Sequence, residues 1–276
     1  VVLDQTPFYA ESGGQVPDHG TLTGKNGAVV VINDVQKTKD GKFLHTGKVE
    51  EGTISVDDTV YAKIDMARRQ AIARSHTATH LLQKALRTVL GTHVEQAGSY
   101  TDADHIRFDF THFSGLTAEE LEKVENMVND AILEGYDVIT EEMPIDEAKK
   151  RGAMALFGEK YGSTVRVVQA GDFSIELCGG THLSNTAKAG VFKIIGEASV
   201  AAGVRRIEAI TGKGVLNFIN EKQHTIVETA KALKTTPADL VNKVEQVMNA
   251  MREMGKNMDK LSAKLANMQL VDLFNL

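Results

Sequence analysis

The 276-residue sequence holds a single cysteine. An intramolecular disulfide framework is thereby excluded, and the composition fits a reducing cytoplasm. Long hydrophobic runs are missing too: none approaches the roughly 20 residues that cross a bilayer, and no basic-then-apolar leader stands at the N-terminus. A membrane protein is not expected. Positive charge is not in excess, since the formal net charge is −6, which argues against a protein that coats nucleic acid through its overall field. Local basic clusters remain at Arg68, Arg69 and Arg74, at Lys149, Lys150 and Arg151, and at Arg205 and Arg206. An initiator methionine is lacking as well, because the chain opens on Val1-Val2 in a strand-like run, and the expectation is a fragment of a longer protein. The length suits one large or two ordinary domains.

Among what is present, Ser75-His76-Thr77-Ala78-Thr79-His80 is central. On a helix, residues four apart lie one turn above each other, so His76 and His80 project two imidazoles from one face. Far downstream the same step recurs as Cys178-Gly179-Gly180-Thr181-His182, where two glycines argue for a tight loop. Three histidines and a cysteine suit Zn²⁺, which prefers imidazole nitrogen and thiolate sulfur in a tetrahedron. The metalloprotease helix carries a glutamate beside its first histidine, and none stands here, so peptidase activity is not expected. Four protein ligands would close the tetrahedron and imply a structural ion, whereas an open position would allow chemistry.

The flanking sequence predicts an α+β fold with boundaries near residues 65 and 212. From 1 to 65, glycine-rich and β-branched runs such as Gly27–Ile32 and Thr53–Val56 suggest a small antiparallel β-barrel. Its hairpins would close at Asp18-His19-Gly20, Lys25-Asn26-Gly27 and Lys39-Asp40-Gly41. Asp65 is placed to cap a long helix that Gly91 ends. Ile106–Phe110 alternates as a half-buried strand, Thr117-Ala118-Glu119-Glu120 is a capping box, and strands follow at 137–140, 164–168, 173–177, 190–197 and 204–210. Cys178 and His182 thus fall on a strand-end loop of a core with an antiparallel sheet, residues 66–212. Residues 213–276 are helical, with Thr236-Pro237 as a restart. From Leu240 to Met268 apolar residues step by four and three, a heptad seam expected to pack on residues 215–234 or on a second chain as a helical hairpin or coiled coil.

The histidine and cysteine–histidine pairs, together with Thr6–Gln15, the block Gly152–Tyr161 and Gly203–Glu208, resemble the editing region of the bacterial alanyl-tRNA synthetases. The resemblance covers essentially residues 1–212, and the helical tail is similar to the segment that follows. Nothing in the chain is expected to correspond to the ATP-dependent aminoacylation domain of that family, in keeping with a fragment. Free-standing alanyl-tRNA editing proteins and the threonyl-tRNA synthetase editing domain share the paired motifs. The resemblance implies hydrolysis of serine or glycine from mischarged tRNA(Ala), with Zn²⁺ held by His76, His80, Cys178 and His182. It further implies functional roles for Thr79, Gln96 and Cys178 and tRNA contacts at Arg68, Arg69, Arg205 and Arg206, with self-association through the heptad helix as a further expectation. Other readings are a free-standing deacylase, a zinc-stapled module that only binds the tRNA acceptor end, a release-factor-like use of Gly13-Gly14-Gln15, and a purely structural protein built on the heptads.

Overall fold

A computed structural model describes residues 1–154 and 162–274, with side chains described to residue 268. Two compact units result, Val1–Val215 and Leu216–Leu276.

The first unit begins with β1 (Gly20–Gly24), β2 (Val29–Lys37), β3 (Phe43–Glu51) and β4 (Val60–Ile64), antiparallel in the order β3-β2-β1-β4. Lys25-Asn26-Gly27 closes β1 onto β2 and Lys39-Asp40-Gly41 closes β2 onto β3, with Gly27 and Gly41 at positive φ. Two expectations fail here. Asp18-His19-Gly20 is the lead into β1 and not a hairpin, because the buried Asp18 carboxylate accepts from the Tyr9 amide and the Arg69 guanidinium. Thr53–Val56, which alternates like a strand, is a loop: Asp58 accepts from the Ser55 amide at 2.7 Å and donates its own amide back to Ser55 O at 3.3 Å. A local side-chain turn has displaced the ladder.

Helix α1 (Met66–Leu90) starts where Asp65 accepts from the Arg68 amide and ends at Gly91. It buries Ile72, Leu81, Leu82, Ala85 and Leu86 completely. The apolar face packs with Phe108, Phe110, Phe192 and Ile207 in one core. Those aromatic and aliphatic residues come from a second antiparallel sheet in the order β10-β11-β6-β5, formed by β5 (Gln96–Thr101), β6 (Ile106–Thr111), β10 (Phe192–Ala201) and β11 (Val204–Thr211). Burying each such side chain contributes about 1.5–3 kcal/mol. Helix α2 (Ala118–Leu133) carries the predicted capping box, with Thr117 and Glu120 each bonded to the other's amide. A third antiparallel sheet joins β7 (Val138–Pro144), β8 (Thr164–Ala170) and β9 (Ser174–Leu177), with α3 (Ile145–Lys150) between β7 and β8. Of the block at residues 152–161, residues 155–161 lie outside the described residues.

Helix α4 (Lys213–Ala232) crosses from the first unit into the second, where α5 (Leu240–Phe274) follows a short 3-10 turn, Pro237–Asp239. Thr236 precedes that turn without capping it through its hydroxyl. The heptad seam of α5 is open to solvent: Met254, Met258 and Leu261 are 62%, 67% and 65% exposed. Among the described residues no helix is long and apolar enough to cross a membrane.

Candidate metal centre

Helix α1 holds His76 and His80 one turn apart, both buried, with ring centroids 5.2 Å apart and planes at 82°. The period-2 geometry of β9 sends Ser174 and Glu176 to one face and leaves Cys178 next in that row. Beyond β9 the chain turns as a loop to His182. Arg166 on β8 pins that loop: its Nη1 donates to Cys178 O at 2.8 Å and Gly180 O at 2.6 Å, while the Cys178 amide donates to Arg166 O at 3.0 Å. The loop then lies against α1 so closely that a Cβ on Gly180 would sit 2.1 Å from His76 Cε1. Gly179 meets nothing within 4 Å. Only one of the two glycines is required by space.

His182 closes the group, with its ring centroid 4.3 Å from that of His76 and 4.5 Å from that of His80. The donor atoms of His76, His80, Cys178 and His182 all lie within 4.8 Å of one another. Cys178 Sγ is 3.4 Å from His76 Nε2 and 3.3 Å from His182 Nε2. Zinc bonded tetrahedrally at about 2.3 Å to sulfur and about 2.0–2.1 Å to nitrogen would set such edges at about 3.5 Å. The four residues therefore fit a zinc ion, and the expected ligand set is brought together by the fold.

Burial is the main force on the protonation of this site. It pushes His76 down to about 4, aided by the nearby Arg166 guanidinium, and pushes His80 and His182 well below 6.5, aided by neighbouring histidines and Arg166. Neutral imidazole is the metal-binding form. Burial also lifts Glu176 to about 8, against the opposing bond from Ser174. The approach of Glu176 Oε2 to His80 Nδ1 at 3.6 Å is consequently not an ion pair at neutral pH, since imidazole and carboxyl are both uncharged. Tyr9, whose hydroxyl donates to Ser12 O at 3.0 Å, is raised by burial and then by the proximity of Cys178.

Each histidine has a partner at Nδ1. His76 meets Gln15 Oε1 at 2.7 Å, His182 meets Thr77 Oγ1 at 3.2 Å, and His80 faces Glu176. By sequence alone Gln15 stands only in a turn or a release-factor-like tripeptide, and no role falls to Thr77, Glu176 or Arg166. The signals were a polar pair inside an apolar strand at Ser174 and Glu176, and the tripeptide Gly13-Gly14-Gln15, which reads more readily as a turn.

The remaining expected residues fall as follows. Thr79 is buried and its hydroxyl donates to Ser75 O at 2.9 Å, one turn back on its own helix. Gln96 opens β5, half-buried opposite Phe110. All four arginines are engaged within the chain: Arg68 with Pro17 O at 2.6 Å, Arg69 with Asp18, Arg205 with Glu197 at 2.5 Å, and Arg206 with both Asp109 oxygens at 2.6 and 2.8 Å.

Residues 165–208, which include Cys178 and His182, match the family model described as threonyl and alanyl tRNA synthetase second additional domain. Residues 1–68 match the model described as tRNA synthetases class II (A), within the span over which the sequence resembles the synthetases. The chain is 54% identical over 273 residues to the alanine-tRNA ligase of Acetivibrio thermocellus, covering 99% of the chain. It is 52% identical over 275 residues to alanine-tRNA ligase 1 of Lachnoclostridium phytofermentans, and 51% over 274 residues to the alanine-tRNA ligase of Listeria innocua. The chain spans 31% of the length of each of these relatives.

Proposed function

From the premise that this chain is homologous over nearly its whole length to one segment of the alanine-tRNA ligases, we propose that it performs the hydrolytic proofreading step of that family. The reaction is cleavage of the ester that joins serine or glycine to tRNA(Ala). The observation that carries the reading is the convergence of His76 and His80 with Cys178 and His182, the second pair lying within the segment that matches the additional domain of threonyl and alanyl synthetases. In this reading the editing core is residues 66–212, flanked by the sheet-forming segment 1–65 and the helices of 213–276.

The need for such a step follows from pocket chemistry. A site shaped for alanine discriminates weakly against a missing methyl or an added hydroxyl, about 1–3 kcal/mol per methylene. A second site inverts the test. The Thr79 hydroxyl donates its hydrogen bond to Ser75 O, which leaves its oxygen as an acceptor for the hydroxyl of a bound serine. The methyl side chain of alanine brings no donor for that oxygen. When bound, zinc supplies Lewis acidity towards a carbonyl or water if one coordination position is open, and a structural cross-link if all four ligands are engaged. His76, His80 and His182 present neutral imidazoles, and Cys178 the sulfur. Gln96 takes a substrate-facing role in this reading, and Arg68, Arg69, Arg205 and Arg206 supply the basic surface towards tRNA. The heptad face of α5 is the surface through which the chain would self-associate.

The test is release of amino acid from Ser-tRNA(Ala), Gly-tRNA(Ala) and Ala-tRNA(Ala) by the zinc-loaded chain. Serine or glycine is expected to be freed in preference to alanine, and Cys178→Ala should abolish this. Release no faster than spontaneous ester hydrolysis would sink the reading. Because four protein ligands converge, a second reading is a zinc-stapled module that binds the acceptor end without hydrolysis; tRNA binding without release would identify it.

A further inference from the structure

Gln15 lies in a glycine-rich stretch 61 residues before His76, the first histidine of the candidate metal centre, yet its side chain is 1% exposed and reaches that centre. Its carboxamide makes three hydrogen bonds. Oε1 accepts from the Thr181 backbone amide at 2.8 Å and meets His76 Nδ1 at 2.7 Å; Nε2 donates to Thr181 Oγ1 at 2.9 Å. The backbone beside it is equally fixed. The Thr101 amide donates to Gly14 O at 2.8 Å, and a Cβ on Gly14 would lie 2.2 Å from Ser99 O.

These contacts determine a proton position. The Thr181 amide can only donate, so the amide oxygen of Gln15 must face it, and the orientation of the carboxamide is settled by chemistry. An amide oxygen can only accept, so the bond to His76 requires Nδ1 to carry the hydrogen. His76 Nε2 is then the atom with the free lone pair, and it is the nitrogen 3.4 Å from Cys178 Sγ. Neither of the other two histidines is determined in this way. Thr77 Oγ1, which already accepts from the Leu183 amide at 3.1 Å, can either donate to or accept from His182, and a carboxyl such as Glu176 can do the same towards His80. Gln15 also ties the two halves of the ligand set, since one oxygen binds both His76 on α1 and Thr181 on the Cys178–His182 loop.

We propose that Gln15 is a positioning residue of the metal centre, fixing His76 in its Nδ1–H form and holding the ligand loop against α1. This inference rests on the metal reading of the His₃Cys cluster. Outer partners of metal-bound histidines commonly alter metal affinity by about 10- to 100-fold. Gln15→Met removes all three hydrogen bonds at similar length. Gln15→Glu keeps an acceptor for both His76 and Thr181.

Two measurements on the full 276-residue chain test the assignment. Long-range proton–nitrogen NMR of the metal-free wild-type chain, with His76 assigned by loss of its signals in His76→Asn, should show the proton on Nδ1; a proton on Nε2 overturns the assignment whatever the variants do. Zinc and cobalt affinities by chelator competition should fall about 10- to 100-fold in Gln15→Met and recover to within a few-fold in Gln15→Glu, with the cobalt absorption bands altered only in the former. Affinity within twofold of wild type in Gln15→Met, or equal losses in both variants, overturns the positioning role. A wild-type chain that takes up no metal overturns the metal reading itself, which the affinity of wild type separates from a failure specific to Gln15.

Discussion

At Gly180 and Gly179 two identical residues have opposite tolerances. Gly180→Ala would drive a methyl into the His76 ring and the Gln15 carboxamide, two side chains bonded to each other, so either that pair shifts or the loop lifts from α1. The expected cost is about 1–3 kcal/mol of stability, with a severe loss of metal affinity. Gly179→Ala meets open space and should be close to neutral. Paired thermal melts and zinc titrations would check this; equal effects at the two positions would contradict the described packing. Thr79→Val makes a different demand: it removes the acceptor oxygen proposed to recognise serine, and the expected outcome is a reduced preference for serine over alanine in the deacylation assay. Unchanged discrimination would leave Thr79 as a threonine that merely bonds its own helix. The four candidate metal-ligating residues and their spacing were legible in the sequence, the histidine pair because periodicity places His76 and His80 on one helix face. Their partners were not legible, since Gln15, Thr77, Glu176 and Arg166 acquire meaning only when segments distant in the chain are brought together.

Helix α1 carries the core as well as two of the candidate metal ligands, so its stability and the proposed chemistry are linked. Leu82 is fully buried against the second sheet, and Leu82→Ala is expected to cost about 2–5 kcal/mol in denaturant unfolding. A loss below about 1 kcal/mol would show that the site collapses around the smaller side chain. In the first sheet, the 2%-exposed His45 sits on β3 between Thr6 Oγ1 and Val1 O, and burial lowers its pKa from 6.5. Between the native value and 6.5 the unfolded chain binds this proton and the folded chain does not. Stability should therefore fall as pH drops below 6.5, and His45→Gln should flatten that part of the profile. An unchanged slope would place the acid sensitivity elsewhere. Elements were legible where a periodic pattern ran without local competition, as in α1, α2 and β6. They were misread at Asp18 and at Thr53–Val56, where carboxylates bond nearby backbone or a distant arginine and override the pattern.

At the scale of the whole molecule, the metal would act on folding as well as on chemistry. An ion that binds only the folded chain stabilises it by about 2.7 kcal/mol at one hundred times its dissociation constant. Stripping the chain with a chelator is thus expected to lower its melting temperature, and restoring zinc to recover it; identical melts would argue against a tight site. If the exposed apolar residues of α5 pair between chains, the sedimentation coefficient is expected to rise with concentration, and Met258→Glu with Leu261→Glu to remove the rise. Sedimentation as a monomer at all concentrations would leave that face to another partner.

The contact of Gly13-Gly14-Gln15 with β5 and with the ligand loop bears on how this chain can be divided. By sequence, residue 65 looks like a place to cut, with a self-contained sheet before it and a capped helix after it. A chain shortened to begin there would keep all four ligand residues and their elements, yet expose the Thr181 amide and the Nδ1 face of His76 to solvent and remove the Asp18 anchor of Arg69. The inventory of a metal site can survive excision while its assembly does not. Modularity of this protein is therefore set by where the hydrogen bonds of its ligands end, which lies well to the N-terminal side of the helix that carries them.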